Sequence, residues 1–291
     1  MLHPFFTSKS YGQQFLYLLL FITGGVTIFS SLSLLVVKII GIETGTRYYV
    51  YVIQSVGSLG VFWVPALLFS YCATKNGFKY SKSDKTFSLP LGNYVLILSI
   101  FILPVIVCMG YFNEQIVFPK FLQNIEIWMR EMEKANAMVM KILTENSTLS
   151  ILYMNIVIMA LFPALFEEFL FRGTLQPFFT KWFKNKHIAI IVTAFIFSAI
   201  HFQFYGFIPR FLLGIYLGYL LVWGKSLWLP IIAHFLHNAL SIIGDYFAQR
   251  RDIDLDTIDP TQMAAFYPVV LFCAFCVAVG IYGFWKKQIN H

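Results

Sequence analysis

The chain has 291 residues, of which 58% are hydrophobic and only 12% charged, with a formal net charge of +7. Soluble domains carry about 25% charged residues, so this composition excludes a large soluble core and points to a protein that lives in the bilayer. The positive balance does not mark a nucleic-acid binder, because the basic residues fall in short stretches between apolar runs, where membrane orientation accounts for them.

A helix needs about 20 apolar residues to cross the hydrocarbon core. On that measure the sequence predicts an all-α, polytopic transmembrane bundle of about eight spans, near residues 13–38, 51–73, 91–112, 148–171, 187–205, 207–223, 227–248 and 263–284. Only the Gly206-Phe-Ile-Pro209 turn separates the fifth span from the sixth, so seven spans is the alternative count. Residues 1–291 read as a single membrane-embedded domain with no separate soluble unit. The first run is too long for a signal-peptide core and lacks a small-residue cleavage site after it. Cys72, Cys108, Cys273 and Cys276 lie in or beside apolar segments and read as ordinary helix residues without disulfides.

The 74–90 connection carries Lys75, Lys79, Lys82 and Lys85 against Asp84, and the 173–186 loop carries Lys181, Lys184 and Lys186. Lys225 and the tail lysines Lys286 and Lys287 fall on the same side in an eight-span model. The opposite side receives Glu43, Arg47, the mixed 113–147 segment and a loop with Asp252, Asp254, Asp256 and Asp259. The positive-inside rule then places both termini in the cytoplasm, in the cell inner membrane. Within 113–147, about residues 120–145 form an amphipathic helical connection, with Ile125, Trp128, Met132, Ala135, Val139 and Ile142 on one face. It is expected on the membrane surface or over the bundle, where a lid is one use for it. Asn146-Ser-Thr148 matches a glycosylation sequon.

The fourth span contains Met159-Ala-Leu-Phe-Pro-Ala-Leu-Phe-Glu-Glu-Phe-Leu-Phe-Arg172, with two carboxylates where a membrane helix normally has none. Glu168 and Arg172 are spaced to share a helix face and form an ion pair that offsets their burial. Glu167 points about 100° away and is left to face a cavity. The fifth span ends with Phe197-Ser-Ala-Ile-His201, and the seventh carries His234-Phe-Leu-His-Asn238, in which His234 and Asn238 share a face and His237 lies off it. Asn155 is expected to make an interhelical hydrogen bond. A glutamate in an apolar cavity is a competent general base for water, and a neighbouring histidine can relay the proton. An amide and a second, donor histidine can hold an oxyanion. Glu167, His201 and His234 are also normal ligand types for zinc or another divalent metal, although no His-Glu-x-x-His pair is present.

These three pieces, in this order, resemble the CAAX-protease and bacteriocin-processing family of intramembrane proteases, whose pattern is Glu-Glu-x-x-x-Arg, Phe-x-x-x-His and His-x-x-x-Asn on separate membrane helices. The resemblance covers about residues 150–245. It implies that Glu167 activates water with help from His201, that His234 and Asn238 bind the oxyanion or orient the carbonyl, and that Glu168 and Arg172 act less directly. It implies an endopeptidase acting on a membrane-associated protein or peptide, CAAX-like or bacteriocin- and leader-like. No cofactor is expected, with metal dependence as the alternative. The rival readings are a proton- or cation-coupled transporter using Glu167, His201 and His234, and a non-catalytic immunity or scaffold protein. No inverted repeat supports the transporter.

Overall fold

The computed structural model describes residues 5–145, 148–251 and 260–289. Asn146 of the sequon and the acidic stretch 252–259 lie outside the described residues. The helices are α1 (Tyr11–Ile40), α2 (Arg47–Ala73), α3 (Gly77–Ser81), α4 (Leu89–Glu114), α5 (Gln123–Thr144), α6 (Leu149–Phe183), α7 (Lys186–Ala199), α8 (Phe207–Gly224), α9 (Trp228–Gln249) and α10 (Pro260–Ile289). There is no strand among the described residues.

The all-α membrane bundle stands, and the count of eight spans is approximate. Among the described residues, six helices are long and apolar enough to cross a bilayer: α1, α2, α4, α6, α8 and the Met263–Phe284 part of α10. The 14 residues of α7 rise about 21 Å, short of the roughly 30 Å hydrocarbon core. α9 has the length, but His234, His237, Asn238, Ser241 and Asp245 interrupt its apolar character. Both nevertheless occupy the places where spans five and seven are expected.

The expected loop over 173–186 is corrected. α6 runs on to Phe183, and only Lys184 and Asn185 connect it to α7. The polar residues that suggested a loop are consumed inside the bundle. Thr174 donates to Phe169 O at 3.0 Å, and Gln176 donates to Gly218 O at 2.9 Å. With these donors paired, both residues stay helical and buried, although Gln176 Oε1 has no hydrogen-bond partner among the described residues.

Three wide π turns interrupt the long helices, at Leu59–Trp63, Ile156–Leu161 and Phe171–Leu175. Each is followed, one residue further on, by a proline: Pro65, Pro163 and Pro177. A proline inside a helix removes one hydrogen bond, and its ring collides with the carbonyl four residues earlier. The wider preceding turn accommodates both effects without ending the helix. Two of these turns bracket the regular stretch Phe162–Leu170 that carries Glu167 and Glu168.

The basic connections gather at one end of the bundle. Leu227 N donates to Lys82 O at 3.2 Å, Ser226 Oγ donates to Lys85 O at 2.7 Å, and Lys181 Nζ lies 4.6 Å above the Tyr80 ring. Tyr94, near the start of α4, donates to Gly280 O at 2.6 Å and so brings the end of α10 to the same side. At the opposite end, α5 lies across the bundle. Arg47 donates to the carbonyls of Ile142 and Leu143 and also to that of Glu145, satisfying the last turn of α5. Asn155 binds Leu143 O at 2.9 Å and accepts from Tyr51 at 2.5 Å, which ties α6 to α5 and α2. The face that α5 turns inward differs from the expected one: Met129 and Leu143 are buried, whereas Ile125, Trp128 and Val139 are exposed. The apolar stripe is divided between the bundle and its surroundings.

α1 and α2 meet at two glycines. A Cβ on Gly25 would stand 2.0 Å from Gly60 O, and one on Gly60 would stand 2.3 Å from Phe29 Cβ. Small residues allow such close backbone approach in membrane bundles. Gly25→Ala is expected to lower stability by about 1–3 kcal/mol through overpacking, read as a lower Tm in detergent. Gly24→Ala is the control, because a Cβ there meets nothing within 4 Å.

Candidate active site

The turn at Lys184 and Asn185 sets the depth of the first pair. Glu167 lies 16 residues before Phe183, and His201 lies 15 residues beyond Lys186. At 1.5 Å per residue, both rise about 22–24 Å from the same turn, so the antiparallel arms bring them level. His201 Nε2 stands 4.0 Å from Glu167 Oε2. The other ring nitrogen, Nδ1, donates to Phe197 O at 2.8 Å, which fixes the tautomer and turns Nε2 toward the carboxylate.

The second glutamate is fully enclosed. Glu168 Oε1 accepts from Arg172 Nη1 at 2.7 Å, and both side chains are 0% exposed. Arg172 Nη2 donates to Gly214 O at 3.1 Å, and the guanidinium lies 4.5 Å from the Phe197 ring centroid. The same Glu168 oxygen is 2.9 Å from His234 Nδ1. The motif spacing placed Arg172 against Glu168 but gave no sign of this second bond, which joins α9 to α6. Phe197 stands edge-on to both imidazoles, with centroids 5.3 Å from His201 and 5.8 Å from His234. The first residue of Phe-x-x-x-His therefore positions both histidines.

Glu167, His201, His234 and Asn238 line one cavity of about 490 Å³. Its walls include Ile106, Met140, Met159, Pro163 and Ile242. Glu167 and His234 form the end of the cavity nearer the basic connections, since His234 follows Leu227 by seven residues and Gly173, six residues after Glu167, packs against Ser81 and Leu227. His234, His237, Asn238, Ser241 and Asp245 follow one another at helical spacing along the cavity side of α9. His237, expected off the working face, is thus a lining residue. Arg210 of α8 and Gln203 of the preceding turn also line the cavity. An ionisable residue within an apolar helix was the available signal for Arg210. Gln203 carried none.

Among the described residues, no three His, Cys, Asp or Glu side chains are arranged to hold a metal ion. Glu168 and the Phe197 carbonyl occupy the Nδ1 atoms of His234 and His201, and Glu167 approaches only His201. The candidate ligand set Glu167, His201 and His234 is not assembled as a metal centre, and the metalloprotease label finds no support in the donor geometry.

Residues 149–240 match the family model described as type II CAAX prenyl endopeptidase Rce1-like. This segment contains all three motifs, and the resemblance to the CAAX-protease and bacteriocin-processing family holds over it. The uncharacterized protein YpbD of Bacillus subtilis (strain 168) is 32% identical over 90 residues, which cover 30% of this chain and 43% of that protein. The matched part is thus under half the length of that relative. No solved structure matches significantly.

The two glutamates are separable by stability. Glu168→Gln leaves Arg172 buried without its carboxylate and is expected to cost about 3–5 kcal/mol. Glu167→Gln breaks no ion pair with an arginine and is expected to leave Tm close to wild type. Thermal unfolding of both variants in one detergent checks the division.

Proposed function

We propose that this integral, multi-pass membrane protein is a CAAX-type intramembrane endopeptidase that hydrolyses a peptide bond of a membrane-associated protein or peptide. The observation that carries the reading is Glu167 beside His201 Nε2, at 4.0 Å, in a cavity shared with His234 and Asn238 and within the Rce1-like segment.

In this mechanism Glu167 takes a proton from water while His201 Nε2 accepts the other water hydrogen and orients it. The hydroxide oxygen bonds to the scissile carbonyl carbon, and the carbonyl oxygen becomes an oxyanion. Asn238 Nδ2 donates to it. His234 donates from Nε2 as an imidazolium, because its Nδ1–H is already directed at Glu168. The Glu168 carboxylate then serves both cations, Arg172 and His234. Collapse of the intermediate breaks the C–N bond, and Glu167 returns its proton to the leaving amine. The residues hold these roles without a metal. By the positive-inside rule the basic end, with both termini, lies in the cytoplasm, and the protein belongs in the inner membrane.

Glu167→Gln is expected to lower cleavage of a peptide library in lipid about 10²–10⁴-fold, the usual range for a lost general base. His234→Ala and Asn238→Ala are expected to lower it about 10²–10³-fold each. Cleavage unchanged in Glu167→Gln and His234→Ala would sink the mechanism. Metal-free protein is expected to retain full activity, measured after chelation alongside metal analysis of the same sample. Proton-coupled flux without proteolysis would support the transporter instead.

A further inference from the structure

The constant register of α6 against α8 places an arginine beside the glutamate pair. Arg172 bonds to Gly214 O and Gln176 bonds to Gly218 O, both across a separation of 42 residues. The two helices therefore run in parallel, one turn matching one turn. Carried one turn back, the register sets Arg210 level with Glu168, on the side where both Arg210 and Glu167 line the cavity. Two arginines thus flank the carboxylate pair. Arg172 is neutralised by Glu168. Among the described residues Arg210 has no such contact ion pair: Glu167, which lines the cavity with it, stays beyond 4.0 Å, and Glu133 likewise acts on it only from a distance.

The arginine is held by neutral groups instead. Its Nη2 donates to Gln203 Oε1 and its Nη1 donates to Gln203 O at 3.5 Å. Gly206 makes room for this arrangement, since a Cβ there would stand 3.2 Å from Arg210 Nη2. The turn that presents Gln203 is fixed from several sides. Asn113, itself buried, donates to Phe204 O at 3.0 Å and accepts from Ile208 N at 3.2 Å. Ser198 donates to Phe207 O at 2.7 Å, and Tyr205 N donates to Glu133 of α5 at 3.0 Å. Phe202, next to Gln203, adopts a left-handed φ of 52°, a conformation that bulky residues keep only where their surroundings enforce it.

A guanidinium with one donor committed to a carboxamide oxygen and one to a backbone carbonyl has three N–H groups left for a planar anion. The cavity, at about 490 Å³, has the size of a small-ligand pocket and holds a short extended segment of chain rather than a folded partner. We propose that Arg210, braced by Gln203, is a carboxylate-binding subsite that selects peptides carrying a carboxylate close to the bond presented to Glu167. The peptide nature of the ligand rests on the endopeptidase reading. The carboxylate is either the C-terminal one or an Asp or Glu side chain.

The test uses the full chain in lipid nanodiscs and short synthetic peptide pools, prepared as free acids, as C-terminal amides, without Asp or Glu, and with both changes. Mass spectrometry reads retained peptides and cleavage products separately. Wild type is expected to retain the free-acid pool about tenfold or more over the fully neutral one, the usual worth of a hydrogen bond to a charged group. Arg210→Gln is expected to abolish the preference, and Arg210→Lys to keep part of it. Amidation alone removes the preference if the α-carboxylate is the ligand; omission of Asp and Glu alone removes it if a side chain is. Equal retention of acid and neutral pools by wild type, or an unchanged preference in Arg210→Gln, overturns the subsite. If Arg210→Gln does not accumulate, Gln203→Ala carries the test, and an unchanged preference there overturns it. Acid-selective retention without cleavage would remove the endopeptidase and leave the subsite standing. Cleavage with no acid preference would do the reverse.

Discussion

A guanidinium sealed from solvent dictates the centre of this bundle. Arg172 and Glu168 are both 0% exposed, and each would cost several kcal/mol if left without partners. Satisfying them draws in four helices. α6 supplies the pair, α7 offers the Phe197 ring, α8 gives the Gly214 carbonyl and α9 adds His234. The backbone of α8 can come this close because residue 214 is glycine: a Cβ there would stand 3.0 Å from Ala194 Cβ. The Glu-Glu-x-x-x-Arg motif thus does two jobs with adjacent residues. Glu168 is spent on holding the helices and contacting an imidazole, which leaves Glu167 on the neighbouring face, lining the cavity.

Local helix geometry makes that division dependable. Between the wide turns ending at Leu161 and beginning at Phe171, the helix is regular, so the angle between adjacent side chains keeps its ordinary value of about 100°. The prolines that call for wide turns lie at 163 and 177. An extra residue accommodated between the two glutamates would have rotated one relative to the other. Placed outside them, the wide turns alter how the long helix lies against its neighbours while Glu167 and Glu168 keep their separate faces. Such turns are often found at functional sites.

Much of this was legible in the sequence, and the gaps have physical causes. Apolar run length located the six helices long and apolar enough to cross a bilayer among the described residues, and the shorter or more polar α7 and α9 between them, since hydrophobic patterning is a local property. The split between Glu167 and Glu168 followed from helical angle alone. The end of α6 was misplaced because Arg172, Thr174 and Gln176 look like a loop until their partners on neighbouring helices are known. The bond from His234 to Glu168, and Gln203 beneath Arg210, depend on which helices are neighbours. No single-helix periodicity encodes that. On α5, Ile125 and Val139 are as apolar as Met129 and Leu143, so composition could not tell which side met the bundle and which faced outward.

Depth constrains access. The cavity runs from Glu167 and His234, within about two helical turns of the basic connections, along α9 to Ser241 and Asp245, with Met140 of α5 among its walls. A substrate entering along the polar groups of α9 would meet Asp245 and Ser241 before reaching Glu167, His234 and Arg210. An approach from the basic end would instead have to pass the packed layer around Phe171, Phe178 and Leu227. That layer is aromatic and closely packed, and it contains the sealed Arg172–Glu168 pair. Opening it would expose the charges on which the helix arrangement depends, so the energetics of the fold favour entry from the other end.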